Sequence, residues 1–308
     1  MTLLFKVDDE RGAAWKALFA EHAPDIEVRL WPDIGDPAQV RYFSAWQPPQ
    51  DLHARFPHLQ VVFATSAGVD QFDLSQLPEQ VALVRMLDPG IVSGIVEYAA
   101  FAVLGLHRQM PLYLEQQRRA VWQPQPLRAA KKRRVGVMGL GNLGQAVLEA
   151  LRPFGFELSG WSRSAKALDG IEVYEGAQQL PAFLGQCDIL ICLLPLTADT
   201  AGILDARTFA ALPTGAALIN LGRGGHLVEA DLLAALACGQ LEQAIVDVLN
   251  DEPPAHDHPF WQHPRIWLTP HIGAMTDPDS AFEMLLGNIR RHQRGEAMLG
   301  LVERSTGY

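Results

Sequence analysis

Three residues in the C-terminal half of the chain have side chains suited to acid–base chemistry on a small anion. Arg223 lies in NLGRGG, Glu252 in VDVLNDEPP and His271 in LTPHIGA. A guanidinium binds a carboxylate through paired hydrogen bonds, an imidazole transfers protons near neutral pH, and a carboxylate can orient that imidazole. Taken singly, each residue also fits a structural role, as a surface ion pair, a solvated loop residue or a capping histidine. Their placement at successive predicted strand ends favours a shared function.

The elements that would carry these residues are predicted between residues 131 and 271. Apolar, β-branched runs such as RVGVMG, DILICLLP and AALINLG alternate with amphipathic helical segments such as NLGQAVLEALR. This alternation predicts a parallel sheet with helices on both faces. Open sheets of this kind bind ligands at the carboxyl ends of their strands, where the three residues are expected.

A G-x-G-x-x-G motif lies between the first of these strands and the helix that follows it. Gly139 permits the tight turn, Gly141 leaves room for a pyrophosphate, and Gly144 lets helix and strand pack closely. Asn142 and Leu143 open the helix, whose N-terminus attracts phosphate charge. In this strand–turn–helix context the motif predicts dinucleotide binding.

The segment GWSRS, Gly160–Ser164, ends the second predicted strand of this domain. Chains that bind NAD commonly have an acidic residue at this position, where it accepts from the ribose hydroxyls. Here Ser162 occupies the position, Arg163 and Ser164 follow, and the next acidic residue is Asp169. A carboxylate would repel the 2′-phosphate of NADP, whereas hydroxyl and guanidinium groups attract it. The segment therefore predicts that NADPH is preferred over NADH, and its structural alternative is a polar strand-to-helix turn.

The first part of the chain has shorter β-rich runs, among them LLFKV and LQVVFAT, and predicts a second α/β domain. A long helix is predicted over Ile91–Met110, and the amphipathic helix after His271 is expected to return to the first domain. We therefore predict an α/β fold of two Rossmann-like domains, with doubly wound parallel sheets and a cleft between them. A flavodoxin-like substrate domain comprises residues 1–98 and 275–308, and a dinucleotide-binding Rossmann domain comprises residues 99–274.

The composition of the chain excludes several classes of partner. The 308 residues have a formal net charge of −10, which disfavours nucleic acids and anionic membranes. We find no stretch that approaches the roughly 20 apolar residues of a membrane span. Cys187, Cys192 and Cys238 are odd in number, lack metal-ligand spacing and lie in apolar surroundings. They predict buried free thiols, no metal site and a cytoplasmic protein.

The chain resembles the D-2-hydroxyacid dehydrogenase family in five motifs that keep the family's order and spacing. These motifs are GLGNLG, LLPLTADTAGIL, NLGRGGHLVEADLLAAL, DVLNDEPP and TPHIGA, and SAGVDQFD at Ser66–Asp73 resembles the family's substrate-domain loop. FSAWQPP, QQRRAVWQPQP, WSRS and the terminal GLVERSTGY resemble the branch of the family that reduces glyoxylate and hydroxypyruvate. The resemblance extends over nearly the whole chain.

The resemblance implies a role for each candidate residue. Arg223 would bind the carboxylate and carbonyl of a 2-keto acid, His271 would be the general acid, and Glu252 would orient its imidazolium. Trp46 would form a wall of the substrate pocket, with a core aromatic as its structural alternative. The further residues implied to contact the cofactor are Leu194, Pro195 and Asp247, the last through the nicotinamide carboxamide. Those implied to hold the substrate carboxylate through backbone N–H groups are Ala67, Gly68 and Val69.

The function implied by the resemblance is NADPH-dependent reduction of small 2-keto acids, from glyoxylate to glycolate and from hydroxypyruvate to D-glycerate. Two alternatives stay open: a family member with a larger substrate such as phosphoglycerate, and a dinucleotide-sensing binding protein like the corepressors that share the fold. The long helix is apolar around much of its circumference. Together with VWQPQP, Val121–Pro126, it predicts a homodimer.

Overall fold

The computed structural model describes residues 1–49, 51–274 and 276–304 and divides the chain into two compact units. The first unit is Met1–Ile91 with the described residues that follow Ala274, and the second is Val92–Ala274. The end of the GLVERSTGY motif, residues 305–308, lies outside the described residues.

The division after Ile91 differs from the predicted boundary after residue 98. The reason is the helix Pro89–His107, whose buried Ala99 and Ala102 pack into the core of the second unit. The boundary therefore falls near the start of this helix and not in its middle.

The first unit is built on a parallel sheet. Its elements in chain order are β1 (Thr2–Lys6), α1 (Asp9–His22), β2 (Glu27–Leu30), β3 (Val40–Ala45), α2 (Leu52–Arg55), β4 (Val61–Ala64) and β5 (Ala82–Val84). The strand order is β2-β1-β3-β4-β5, with every pairing parallel. This is the flavodoxin-like order, so the prediction of a doubly wound sheet in this unit is confirmed.

The C-terminal helix Pro278–Gln293 packs on this sheet's helical layer, as the sequence predicts. Its Phe282 makes an edge-on contact with Phe19 of α1 at 5.0 Å between ring centroids, and Trp15 donates its indole N–H to the Pro278 carbonyl at 3.0 Å. These aromatic side chains are buried, so they contribute much of the apolar area that this unit removes from water.

The second unit contains a longer parallel sheet. Its elements are α3 (Pro89–His107), α4 (Met110–Arg118), β6 (Arg134–Met138), α5 (Asn142–Leu151), β7 (Glu157–Ser162), β8 (Glu172–Glu175), α6 (Gly176–Leu184), β9 (Ile189–Cys192), α7 (Ala206–Ala211), β10 (Ala216–Asn220), α8 (Glu229–Cys238), β11 (Leu241–Val246) and β12 (Ile266–Leu268). The strand order is β12-β11-β10-β9-β6-β7-β8. This is the Rossmann order with one added edge strand, so the predicted dinucleotide-type fold is confirmed.

The central strands β9 and β10 are buried along their whole length, which explains their continuous apolar sequences. The sequence did not predict β8, whose EVYE segment is only half-buried at the sheet edge. Carboxyl ends of parallel strands meet at one edge of a sheet. The residues at or just after these ends in the second unit are Gly139, Ser162, Leu194, Arg223, Asp247 and Thr269.

Helix α3 is long and apolar enough to cross a membrane by length and composition alone, which differs from the expectation that no stretch approaches a membrane span. In the structure its buried residues Ala99, Ala102 and Val103 belong to one buried apolar cluster with Val135 and Val137 of β6. Burial in the core of a globular unit requires apolar residues on this face of the helix, whereas Phe101 of the same helix is 59% exposed.

The cysteines are all free thiols, but they do not share one environment. Cys187 and Cys192 are buried, as predicted, and burial raises the pKa of each thiol to about 12. Cys238 is exposed, so the prediction of a buried thiol is wrong there. The buried face of α8 consists of Leu232, Ala235 and Leu236, and Cys238 in the last turn lies off that face.

Candidate active site

The glycine motif forms a tight turn with open space beside it. Gly139 has φ +102°, and a Cβ there would lie 2.6 Å from the Leu193 carbonyl oxygen. A Cβ on Gly144 would lie 1.9 Å from the Gly139 carbonyl oxygen, so only glycine allows this helix-to-strand approach. Among the residues that the structure describes, nothing lies within 4 Å of the Gly141 Cβ position, and no side chain caps the helix that begins at Asn142. Open backbone at an uncapped helix N-terminus fits a pyrophosphate.

The GWSRS segment lies at the end of β7, but its side chains differ in exposure. Ser162 is 7% exposed, and its hydroxyl donates to the Ser164 carbonyl oxygen at 2.7 Å. A hydroxyl has one proton, so Ser162 would have to break this bond before it could donate to a phosphate. Arg163 is exposed and lies 4.0 Å from Asp199. Lys166, which the sequence interpretation did not include, is a further exposed cation of the same loop.

Glu252 and His271 form the pair that the sequence predicts. His271 Nδ1 lies 2.8 Å from Glu252 Oε2, and the Leu249 N–H donates to Glu252 Oε1 at 2.9 Å. A carboxylate only accepts hydrogen bonds, so Nδ1 holds the proton in this pair and Nε2 is left to exchange protons with a substrate. His271 itself has φ +54°, a left-handed conformation that non-glycine residues rarely adopt.

The Arg223 segment packs directly against the segment that leads to Glu252. A Cβ on Gly224 would lie 2.0 Å from the Leu249 carbonyl carbon, so glycine is required for this approach of two backbones. The Arg223 guanidinium donates to the Gly222 carbonyl oxygen at 2.9 Å. The structure thus brings together the arginine, glutamate and histidine segments that are separated in the sequence.

His226 is a site residue that the sequence interpretation missed. It is completely buried, its Nδ1 accepts the Arg223 backbone N–H at 3.0 Å, and its Nε2 donates to the Pro195 carbonyl oxygen at 3.2 Å. One ring therefore joins the Arg223 segment to the loop that contains Pro195 and, beside it, Leu194. Only its position three residues after Arg223 in the sequence suggests this role.

Asp247 lies directly after β11 and is 3% exposed. Its Oδ1 accepts the Thr269 hydroxyl at 2.6 Å and the Ile272 N–H at 2.9 Å, while Oδ2 accepts the Gly273 N–H at 2.7 Å. Two carboxylate oxygens offer about four acceptor positions. Counting only donors from the described residues, one position on Oδ2 is left, and this is compatible with the predicted contact to the carboxamide of a nicotinamide.

The residues of the first unit that are predicted to contact the substrate lie just after two adjacent strands, β3 and β4. Ala67, Gly68 and Val69 lie in the loop after β4, where the Ser66 hydroxyl donates to the Gly68 carbonyl oxygen at 2.7 Å. Trp46 directly follows β3 and is 40% exposed, which contradicts its alternative interpretation as a core aromatic. Among the described residues, no group of three or more histidine, cysteine or acidic side chains is arranged to hold a metal ion.

The site has three parts, which follow the carboxyl ends of strands in one Rossmann sheet. They are a helix N-terminus open to a phosphate, the His271–Glu252 pair, and the Arg223 segment that packs beside this pair. Fold and site together define a nicotinamide-nucleotide-dependent dehydrogenase. Residues 100–273 match the family described as D-isomer specific 2-hydroxyacid dehydrogenase, NAD binding domain. The chain belongs to the D-isomer specific 2-hydroxyacid dehydrogenase family.

Similar proteins match the chain over its full length. The glyoxylate/hydroxypyruvate reductase A of Serratia proteamaculans is 40% identical over 315 residues, with 100% of both chains covered. The crystal structure of a D-isomer specific 2-hydroxyacid dehydrogenase from Xanthobacter autotrophicus Py2 in complex with NADPH and MES has a TM-score of 0.93 at 38% identity, covering 100% of this chain and 99% of that one.

The name of a second similar protein of known structure states its substrates. It is the NADPH-dependent glyoxylate/hydroxypyruvate reductase of Sinorhizobium meliloti in complex with NADP and sulfate. Its TM-score is 0.92 at 35% identity, covering 100% of this chain and 99% of that one.

Proposed function

We propose that this protein reduces the small 2-keto acids glyoxylate and hydroxypyruvate to glycolate and D-glycerate, with NADPH as the reductant. The observation that carries the proposal is the His271–Glu252 pair, 2.8 Å apart, beside the Arg223 segment on the carboxyl edge of a Rossmann sheet. Full-length relatives that have this activity in their names support the choice of substrate class.

Arg223, His271 and Glu252 have different roles in the proposed reaction. When bound, NADPH supplies the hydride to the carbonyl carbon. Arg223 binds the substrate carboxylate and polarises the carbonyl, a task suited to the planar guanidinium. His271 donates the proton on Nε2 to the carbonyl oxygen as negative charge develops there, while Glu252 stabilises the imidazolium. In the reverse direction His271 accepts the proton.

We also propose, as a prediction from the sequence, that residues of the first unit contact the substrate. The backbone N–H groups of Ala67, Gly68 and Val69 are proposed to hold the substrate carboxylate, and Trp46 is proposed to limit its size. The 40% exposure of Trp46 supports a role outside the core.

His271→Ala and Arg223→Ala test the assignment of catalytic roles. We expect each to lower turnover of glyoxylate on the order of 10²- to 10⁴-fold, and Arg223→Ala also to raise KM because it removes ground-state binding. His258→Ala is the matched control, because His258 forms a similar pair with Glu229 at 3.0 Å outside the candidate site. Near-normal rates for His271→Ala would remove its catalytic assignment.

Preference for NADPH over NADH is proposed from the charge of the loop after β7. Arg163 and Lys166 are exposed cations, and Ser164 is an exposed donor. The Asp199 carboxylate lies 4.0 Å from the Arg163 guanidinium and attracts it. This weak pair would separate when the guanidinium binds a 2′-phosphate. Ser162 contributes by its lack of negative charge, because its proton is committed to Ser164.

Arg163→Ala tests this preference. One charge-assisted hydrogen bond is worth about 1.5–3 kcal/mol, so we expect kcat/KM for NADPH to fall ~10- to 100-fold while that for NADH stays nearly constant. Arg207→Ala is the matched control, because Arg207 is 95% exposed and pairs with Asp205 at 3.1 Å. Equal losses with both nucleotides, or a wild-type preference for NADH, would refute the proposal.

A homodimer and a cytoplasmic location complete the proposal. Phe101 of α3 is 59% exposed, and Trp122 and Leu127 of the following segment are 98% and 71% exposed. Large exposed apolar side chains near each other in sequence favour a second copy of the chain as the partner. The free thiols favour a reducing compartment. Light scattering at micromolar concentration tests the dimer, and a monomer would contradict it.

A further inference from the structure

The backbone that presents His271 is folded around the side chain and carbonyl of Asp247. The His271 N–H donates to the Asp247 carbonyl oxygen at 2.9 Å. The Ile272 and Gly273 N–H groups donate to its carboxylate at 2.9 and 2.7 Å. Three consecutive N–H groups that converge on one residue resemble the backbone nests that bind anions. These bonds hold His271 in its left-handed conformation at φ +54°.

Two hydroxyl groups extend this arrangement from Asp247 to helix α3. Thr269 Oγ1 lies 2.6 Å from Asp247 Oδ1, and the Tyr98 hydroxyl of α3 lies 2.5 Å from Thr269 Oγ1. The carboxylate can only accept, so the Thr269 proton points to Asp247, and Tyr98 must therefore donate to Thr269. Burial, more than any other influence, raises the pKa of Tyr98 to about 12, so this donor keeps its proton at physiological pH.

We propose that Thr269 and Tyr98 are positioning residues for the general acid. They fix the orientation of the Asp247 carboxylate, which in turn fixes the backbone from which the His271 imidazole projects. Glu252 fixes the ring itself through Nδ1, so backbone and ring are held by separate carboxylates. This inference rests on the proposed function, and it assigns Asp247 a task besides its predicted contact with the cofactor.

Loss of the Thr269 hydroxyl should affect proton transfer more than binding. Thr269→Val removes one of the three hydrogen bonds that described residues donate to the Asp247 carboxylate, and it leaves the side-chain volume nearly unchanged. A hydrogen bond to a charged group is the stronger kind, so we expect a loss of about 10-fold or more in kcat. The keto acid is bound by other residues, so KM should change little.

The experiment compares Thr269→Val, Thr269→Ser and Tyr98→Phe, with rates normalised to NADPH sites counted by fluorescence titration. We expect Thr269→Val to lose about 10-fold in kcat, Thr269→Ser to stay within about 2-fold of the wild type and Tyr98→Phe to lose about 3-fold, since it removes a neutral donor only. Thr208→Val is the matched control, because the buried Thr208 hydroxyl donates to the Ile203 carbonyl at 2.6 Å. It should retain the wild-type kcat per NADPH site.

Three results would overturn the positioning role: a wild-type kcat in Thr269→Val, an equal loss in Thr269→Ser, or a loss confined to KM. If Thr269→Val does not fold, Tyr98→Phe decides in its place. A proton NMR signal from the His271 Nδ1–H, assigned by its loss in His271→Gln, gives a readout that needs no keto acid. It should be sharp in the wild type and broadened in Thr269→Val, and an unchanged signal would overturn the inference even if the wild type reduces no keto acid tested.

Discussion

Glu252→Gln is the substitution that most sharply separates the charge of the catalytic pair from its shape. In the wild type the two carboxylate oxygens accept separate donors, Leu249 N–H on Oε1 at 2.9 Å and His271 Nδ1–H on Oε2 at 2.8 Å. Glutamine offers one acceptor oxygen and one NH₂ group in nearly the same volume. One of the two donors must therefore face an NH₂ group.

The size of the effect follows from this mismatch and from the exposure of the pair. If the amide oxygen stays with Leu249, the NH₂ group faces Nδ1 and disfavours the doubly protonated imidazole that donates to the substrate. A hydrogen bond to a charged group is worth about 1.5–3 kcal/mol, and the side chains are 28% and 36% exposed, so we take the lower part of that range. About 1.5–2 kcal/mol corresponds to a fall of ~10- to 30-fold in kcat.

The assay is steady-state oxidation of NADPH with saturating glyoxylate. Glu229→Gln is the matched control, since Glu229 accepts from His258 Nε2 at 3.0 Å and that pair has a comparable exposure of 29% and 16%. We expect the control to keep the wild-type kcat. Equal effects of the two substitutions, or a wild-type rate in Glu252→Gln, would show that Glu252 does not act through His271.

Three further predictions concern the fold around the site. At pH 8 in the folded protein, a thiol reagent should modify Cys238 only, and Cys187 and Cys192 should react after unfolding, because their pKa values are near 12; fast reaction of all three would contradict their burial. Asp188→Asn should lower the free energy of unfolding by about 2 kcal/mol at neutral pH. Burial raises the pKa of Asp188, but hydrogen bonds from Arg134 and the charges of Arg134 and Arg128 outweigh it and lower the pKa. The stabilisation is present above the ordinary pKa and is lost as the pH falls below about 4, so in chemical denaturation the variant should show a weaker acid dependence. Gly144→Ala should abolish NADPH binding in a fluorescence titration, because its Cβ would lie 1.9 Å from a backbone oxygen.

The sequence alone was sufficient to predict those features of the fold and the site that a local sequence pattern determines. Apolar strands at regular intervals identified the second sheet, and Gly139 and Gly144 lie where the backbone excludes a Cβ. The positions of Arg223, Asp247 and His271 shortly after strand ends follow from the same periodicity. These features are readable because each depends on neighbours close in the chain.

Long-range contacts were not readable in this way. His226 acts through Pro195, which lies 31 residues away, and Tyr98 reaches Thr269 across 171 residues. The sequence also did not show that the Ser162 hydroxyl is occupied by Ser164 and not available to a phosphate. Side-chain hydrogen bonds of this kind depend on rotamers and packing, and no pattern of apolar residues specifies them.

The most direct test of the proposed function is the rate of NADPH oxidation by the purified wild-type protein with a series of 2-keto acids. The series includes glyoxylate, hydroxypyruvate, pyruvate and phosphohydroxypyruvate, each also measured with NADH. We predict the highest kcat/KM with glyoxylate or hydroxypyruvate and NADPH, and turnover would exclude a binding protein without catalysis. A preference for phosphohydroxypyruvate would contradict the assigned substrate class, and no turnover with any of them, while NADPH binds, would contradict the assigned reaction.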